Sequence, residues 1–117
     1  MEQSPALAAL SALAHETRLE IVRLLVPRGP KGAPAGEIAR VVQVSASRLS
    51  FHLRLLEQAG LVSARRDGRQ VIYSADRARM GALIHYLLND CCANDPQIRA
   101  CCGARHAAPA CDDTARG

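Results

Sequence analysis

Aromatic side chains are almost missing from this sequence, which has no tryptophan, one phenylalanine and two tyrosines. Recognition of single-stranded nucleic acid stacks bases on aromatic rings, and Phe51, Tyr73 and Tyr86 are too few and too scattered for it. Long apolar runs are missing too: no stretch reaches the roughly 18–20 apolar residues that span a bilayer. The opening ALAALSALA has no basic segment ahead of it, follows Glu2, and runs into HETRLEIVRLL without losing helical spacing, so it does not read as a secretory leader. A P-loop, a Gly-x-Ser-x-Gly elbow, a dinucleotide fingerprint and a Cys-x-x-Cys pair are all absent, which leaves an enzyme little to stand on. The expectation is a cytoplasmic protein that is not an enzyme. In that reducing compartment clustered thiols are more often ligands or redox sensors than structural disulfides.

What is there is unevenly placed. The net charge of +4 hides a central surplus: residues 40–79 carry eight arginines against three carboxylates, while residues 1–39 balance to zero. A positive field confined to one segment suits a phosphate-contacting face. Four of the five cysteines lie in NDCCANDPQIRACCGARH, residues 89–106, as two adjacent pairs. The length suits one domain with a modest core. We place it at residues 1–92, with residues 93–117 as a cysteine-containing tail, partly disordered.

The apolar spacing predicts a helix from Ser4-Pro5 to about Ala14, and a second over 16–26 with Leu19, Val22 and Leu25/Val26 on its inner face. PRGPKGAP (27–34) is expected to be a loop, and a short helix follows near 35–42. Ser45 should cap a helix whose Leu49, Leu53 and Leu56 recur at core spacing, with Gly60 as its left-handed stop. LVSARR and RQVIYS, joined at Asp67-Gly68, form a β-hairpin signal. The last predicted helix begins at Asp76, with Met80, Leu83, Ile84, Leu87, Leu88 and Cys91 in one stripe, and breaks at Asn94-Asp95-Pro96. The fold class is therefore mainly α with a small β-hairpin wing (α+β), a winged helix-turn-helix.

In that design the second helix of the motif enters the major groove and the hairpin lies along the backbone. With Leu49 facing inward, a 100° projection turns Ser47, Phe51, Arg54 and Gln58 outward, with Arg48 and Ser50 on the flanks. Arginine suits guanine or phosphate, hydroxyls suit bases or phosphates, and Phe51 suits a thymine methyl, although a tilted helix would bury that ring instead. His52 falls nearer the apolar side and reads as a core histidine. Arg65, Arg66 and Arg69 read as wing contacts to phosphate.

HETRLEIVRLL, SASRLSFHLRLLEQAGLV and RRDGRQVIY together resemble the ArsR/SmtB family of small bacterial metalloregulatory repressors, over roughly residues 7–90. The resemblance implies a homodimer built from the first and last helices, a pseudo-palindromic double-stranded operator, and release of that DNA when an inducer binds. The apolar stripe over 80–91 agrees, since it exceeds what a lone exposed helix should show.

One arsenic-sensing class in the family carries Cys-x-Cys before the recognition helix; here Pro34-Ala35-Gly36 stands there, with no cysteine. A zinc-sensing class uses Asp-x-His and His-x-x-Glu; aligned on Asp76, this chain offers Ala78, Asn89 and Cys92, and His85 reads as an ordinary interface residue. There remain Cys91, Cys92, Cys101 and Cys102. Three converging thiolates, Cys91, Cys92 and either Cys101 or Cys102, suit a soft ion. They resemble the subgroup of arsenite-responsive repressors with a Cys-Cys pair at the end of the last helix and a later cysteine. As(III) is the implied inducer, with Sb(III) or a methylated arsenical using much the same sulfurs. A four-cysteine site for zinc or cadmium, and a thiol-redox or sulfur switch, stay open as alternatives. Arg99 and Arg105 are expected to favour the thiolates. Cys111 reads as dispensable.

Overall fold

The computed structural model describes residues 1–103; within them six α-helices and a three-stranded antiparallel sheet follow the order of a winged helix-turn-helix, as the sequence predicts. The first helix, α1 (Gln3–Leu13), buries Ala6, Ala9 and Ala12, a stripe of methyl groups at helical spacing that lets neighbouring helices approach closely. Its Leu7 and Leu10 face solvent, 55% and 38% exposed. In α2 (Glu16–Leu25) the inner face is Ile21, Val22 and Leu25. Leu19, expected inside, is 47% exposed, and Val26 is also out. The stripe is rotated from its predicted position because Ile21, not Leu19, meets the core.

Beyond α2 the chain makes tight 3₁₀ turns over Val26–Lys31, interrupted at Gly29, and then turns at Gly32 with φ 63°. A Cβ at Gly32 would lie 2.1 Å from the Tyr73 carbonyl oxygen, so only glycine fits this approach. The predicted loop thus ends in a short strand, β1 (Ala33–Pro34), which no local pattern announces. Then come α3 (Ala35–Val42), with Ile38 and Val42 buried, and α4 (Ala46–Gln58), with Leu49, Leu53 and Leu56 buried. Gly60, at φ 77°, ends α4 as expected, and the Leu61 N–H reaches back to the Leu56 carbonyl at 3.0 Å.

The hairpin pairs β2 (Val62–Asp67) with β3 (Gln70–Ala75) around Gly68, from Val62↔Ala75 to Asp67↔Gln70. β1 adds to the other edge of β3 through Ala33↔Tyr73 and Pro34↔Ile72, giving the order β1-β3-β2. Ile21, Leu25, Ile38, Leu49, Leu53, Leu56 and Leu61 form the most deeply buried part of the core.

α5 (Arg77–His85) is shorter than the helix expected from the stripe. Over Tyr86–Cys91 the turns widen to π-helical spacing, with the Cys92 N–H bonded to the Leu87 carbonyl at 3.0 Å. Ala93 and Asn94 are both left-handed, and a further helix, α6 (Pro96–Gly103), follows. The chain divides into two compact units, with the boundary in sequence between Leu83 and Ile84. The sequence-based boundary at 92/93 lies inside the second. Among the described residues no helix is long and apolar enough to cross a membrane.

Candidate nucleic-acid interface and thiol cluster

The start of α4 is fixed by Ser45, whose Oγ accepts from the Arg48 N–H at 3.2 Å. With Leu49, Leu53 and Leu56 committed to the core, the helix has one rotational setting. It leaves Ser47, Arg48, Ser50, Phe51 and Arg54 exposed together. Phe51 is 52% exposed, so the buried alternative does not describe it.

His52, on the inner side, is 8% exposed. Its Nδ1 lies 3.1 Å from Nη1 of Arg18, whose Nε donates to the Ala12 carbonyl at 2.6 Å. The His15 ring stands 4.6 Å from it, centroid to centroid. Burial, then the positive environment of His15, Arg18 and Arg48, holds the His52 pKa below its ordinary value. The core reading of His52 thus agrees with its position, but its partners Arg18 and His15 were not foreseen. They lie in a separate helix-start segment, and no local spacing links them to residue 52.

The wing arginines divide. Arg66 and Arg69 flank the Gly68 turn in solvent. Arg65 instead donates from Nη1 to the Pro30 carbonyl at 2.9 Å and from Nη2 to that of Lys31 at 3.4 Å, which ties the hairpin to the preceding loop. Arg40 and Arg69 both line a cleft of about 540 Å³ between the start of α3 and the wing, with Pro34, Glu37 and Tyr73. Glu37 is paired with Arg28, and that bond holds its carboxyl below the usual range. No cysteine lines this cleft, in keeping with the absent Cys-x-Cys.

At the zinc-class positions the structure shows other uses. Asp76 caps α5, its Oδ1 accepting from the Arg79 N–H at 2.9 Å. His85 Nδ1 lies 3.1 Å from the Asn89 amide nitrogen.

The cysteines lie on the widened turn and α6. Cys91 and Cys102 are exposed and free, Cys92 is half-buried and free, and Cys101 is disulfide-bonded. α6 is started by Asp95, whose Oδ2 accepts from the Gln97 and Ile98 N–H groups at 3.1 and 3.2 Å, with Pro96 in its first turn. Asn94-Asp95-Pro96 is therefore a helix start as well as a break; an acidic cap before a proline is the signal that would have found it. Contrary to the expected help from arginine, the Cys92 thiol is pushed up. The hydrogen bond with Cys91 is the largest cause, followed by burial and the charges of Cys91, Asp95 and Cys102. Arg99 is engaged with the Asn94 side chain at 2.8 Å. Arg105 and Cys111 lie outside the described residues. Among the described residues no three or more Cys, His, Asp or Glu side chains are gathered as a metal ion would require. The predicted ligands therefore share one unit but not one coordination sphere.

A helix-turn-helix domain model matches residues 13–64. The chain is 37% identical over 87 residues to the HTH-type transcriptional regulator YgaV of Escherichia coli K12, covering 74% of this chain and 86% of that one. It is 35% identical over 94 residues to a probable mercury resistance operon repressor of Streptomyces lividans, covering 80% and 71%. Among solved structures, an ArsR-like transcriptional regulator from Rhodococcus sp. RHA1 matches with a TM-score of 0.68 at 28% identity, over 83% of this chain and 89% of that one.

Proposed function

The chain belongs to the ArsR/SmtB family of winged-helix transcriptional repressors, and from that premise we propose that it holds a double-stranded operator as a homodimer and releases it when As(III) binds its C-terminal thiolates. Its relatives and fold are those of DNA-binding regulators, not of an enzyme. Ser47, Arg48, Ser50, Phe51 and Arg54 read the major groove, and Arg66 and Arg69 contact backbone phosphate. Arg65 adds its charge to that edge while bracing the hairpin.

The observation that carries the inducer reading is the set of free thiols Cys91, Cys92 and Cys102 within one compact unit, with Cys102 close enough for its charge to raise Cys92. The donor chemistry suits a soft, three-sulfur guest such as arsenite, with antimonite a close variant. Cys102 is the better third ligand, because Cys101 already has a partner. Trihydroxyarsenic and three thiols give the trithiolate and three waters: each S–H bond and each As–O bond broken is replaced by an As–S and an O–H bond, without change of oxidation state. Because the sulfurs are not gathered beforehand, α6 must close on the 86–91 turn. That movement is what the inducer passes to the DNA-binding unit. A coupling of about 1–3 kcal/mol weakens operator binding roughly 5- to 150-fold. The relative named for mercury resistance supports a thiophilic inducer in this family.

The test is operator binding in reducing buffer, titrated with arsenite, zinc, cadmium and an oxidant, for the native chain and for Cys91→Ser and Cys102→Ser. Arsenite should release the native protein and neither variant. If arsenite leaves the reduced native protein bound, the sensing proposal is wrong. The disulfide at Cys101 favours a second reading, a thiol-redox switch. Release by oxidant alone would select it.

A further inference from the structure

The histidine behind the recognition helix has more to do than fill space. Arginine carries no acceptor, so the 3.1 Å approach of Arg18 Nη1 requires His52 Nδ1 to be unprotonated. His15 is fixed in turn by the Thr17 N–H, which donates to its Nδ1 at 3.1 Å. Of the two rings, His52 must therefore be neutral in this arrangement, with its proton on Nε2. The rings stand 4.6 Å apart, one at the start of α2 and the other in the middle of α4. Arg18 completes the junction by bonding the Ala12 carbonyl in the last turn of α1. Three helices thus meet at one imidazole.

We propose that His52, held by Arg18 and faced by His15, is a positioning residue that seats α4 for sequence reading, and that this seating requires its neutral form. The inference rests on the DNA-binding reading above. The charged or titratable groups acting on His52 are His15 and Arg18 from α2 and Arg48 from one turn earlier on α4, while α1 contributes the Ala12 carbonyl through Arg18. All the side chains named are bases. A proton on His52 would remove the acceptor that Arg18 uses and set two cations in contact, and the lowered pKa agrees with that. His52 lies beside Phe51, ring centroids 5.5 Å apart, and on the same helix as Arg48 and Arg54. Losing the anchor tilts that whole outward face.

The consequence has a sign that simple electrostatics does not share. Acidification makes the chain more positive, so affinity for duplex of any sequence should hold or rise. Affinity for the operator should fall. The measurement is the ratio of operator to scrambled-duplex affinity at fixed salt, from about pH 8 down to about pH 5.5, spanning the ordinary histidine range. The operator is one selected at high pH from random duplexes.

The ratio for the native chain should fall several-fold across that window, in the direction set by loss of the neutral ring. His52→Asn, which keeps an oxygen acceptor for Arg18 and cannot titrate, should show a flat ratio. A parallel imidazole titration of the native chain by nuclear magnetic resonance should place the His52 midpoint where the ratio falls. A native ratio that does not change with pH overturns the proposal while leaving DNA binding intact. So does an equal fall in a folded His52→Asn protein, or a His52 that stays neutral throughout the fall. Failure to bind any duplex at high pH overturns the DNA reading and this proposal with it.

Discussion

Two adjacent arginines in the wing have different work. Arg66 is turned to solvent beside the Gly68 turn, whereas Arg65 places its guanidinium on two carbonyls of the loop before β1. Arg66→Ala should reduce the slope of log affinity against log salt by roughly one counterion and leave thermal stability nearly unchanged. Arg65→Ala should lower stability by about 0.5–1.5 kcal/mol as well, the worth of an ordinary hydrogen bond, read by denaturant unfolding. Equal unfolding midpoints for the two variants would remove the bracing role. The outward set of α4 was legible in the sequence because a capped helix with three core leucines has one rotational setting, which a 100° projection recovers. Arg65 was not, because its partner is 35 residues away in a segment whose path depends on Gly29 and Gly32. His52 was legible as buried but not as anchored, for the same reason. Its lowered pKa sets a further expectation: the folded protein takes up its proton less readily than the unfolded chain. The stability contributed by the neutral ring is complete above the ordinary value near 6.5 and is lost as pH falls toward the lower folded value. Thermal melts across that window should decline more steeply for the native chain than for His52→Asn.

Among the elements, local pattern succeeded where a cap and a periodic stripe agreed, and failed where a distant partner decided. α4 carries both kinds of signal, α3 a stripe and the hairpin its Asp67-Gly68 turn, and all three form where expected. β1 is two residues long and exists because β3 offers it an edge, through an approach only Gly32 allows. Gly32→Ala should therefore be severe. The new methyl would meet the Tyr73 carbonyl oxygen at 2.1 Å at a residue with φ 63°, and strain of about 1–3 kcal/mol from the backbone alone adds to that overlap. Gly68→Ala has open space around it and should cost only the backbone share. The comparison is made by denaturant unfolding, and equal losses would mean that β1 does not constrain Gly32. The thiol region was the least legible. Its two elements, the widened turn and α6, follow from hydrogen bonds at Leu87, Leu88 and Asp95 that do not continue the apolar stripe across residues 80–91.

At the scale of the whole molecule, the chain shows apolar side chains where a partner is expected. Leu7 and Leu10 are exposed on α1, and Ile84 is 51% exposed on α5. These are the first helix and the helix before the thiol region, the pair that the family resemblance assigns to the dimer. Scattered exposed apolar side chains need no explanation, but three on the two helices so assigned favour burial against a second copy. A twofold dimer places its two recognition helices about one helical turn of DNA apart, roughly 34 Å. Inserting about five base pairs between the operator half-sites puts the second on the opposite face of the duplex, and inserting about ten restores the face at greater distance. Affinity should fall to that of one half-site in the first duplex and recover only partly in the second. Leu10→Glu, which puts a charge on the exposed side of α1, should abolish the difference between the duplexes, because a monomer has no spacing to satisfy. It should also shift the sedimentation of the free protein toward the single chain. If all three duplexes bind the native chain equally, each subunit reads DNA alone, and an inducer at the thiols could not release it by changing the separation of two helices.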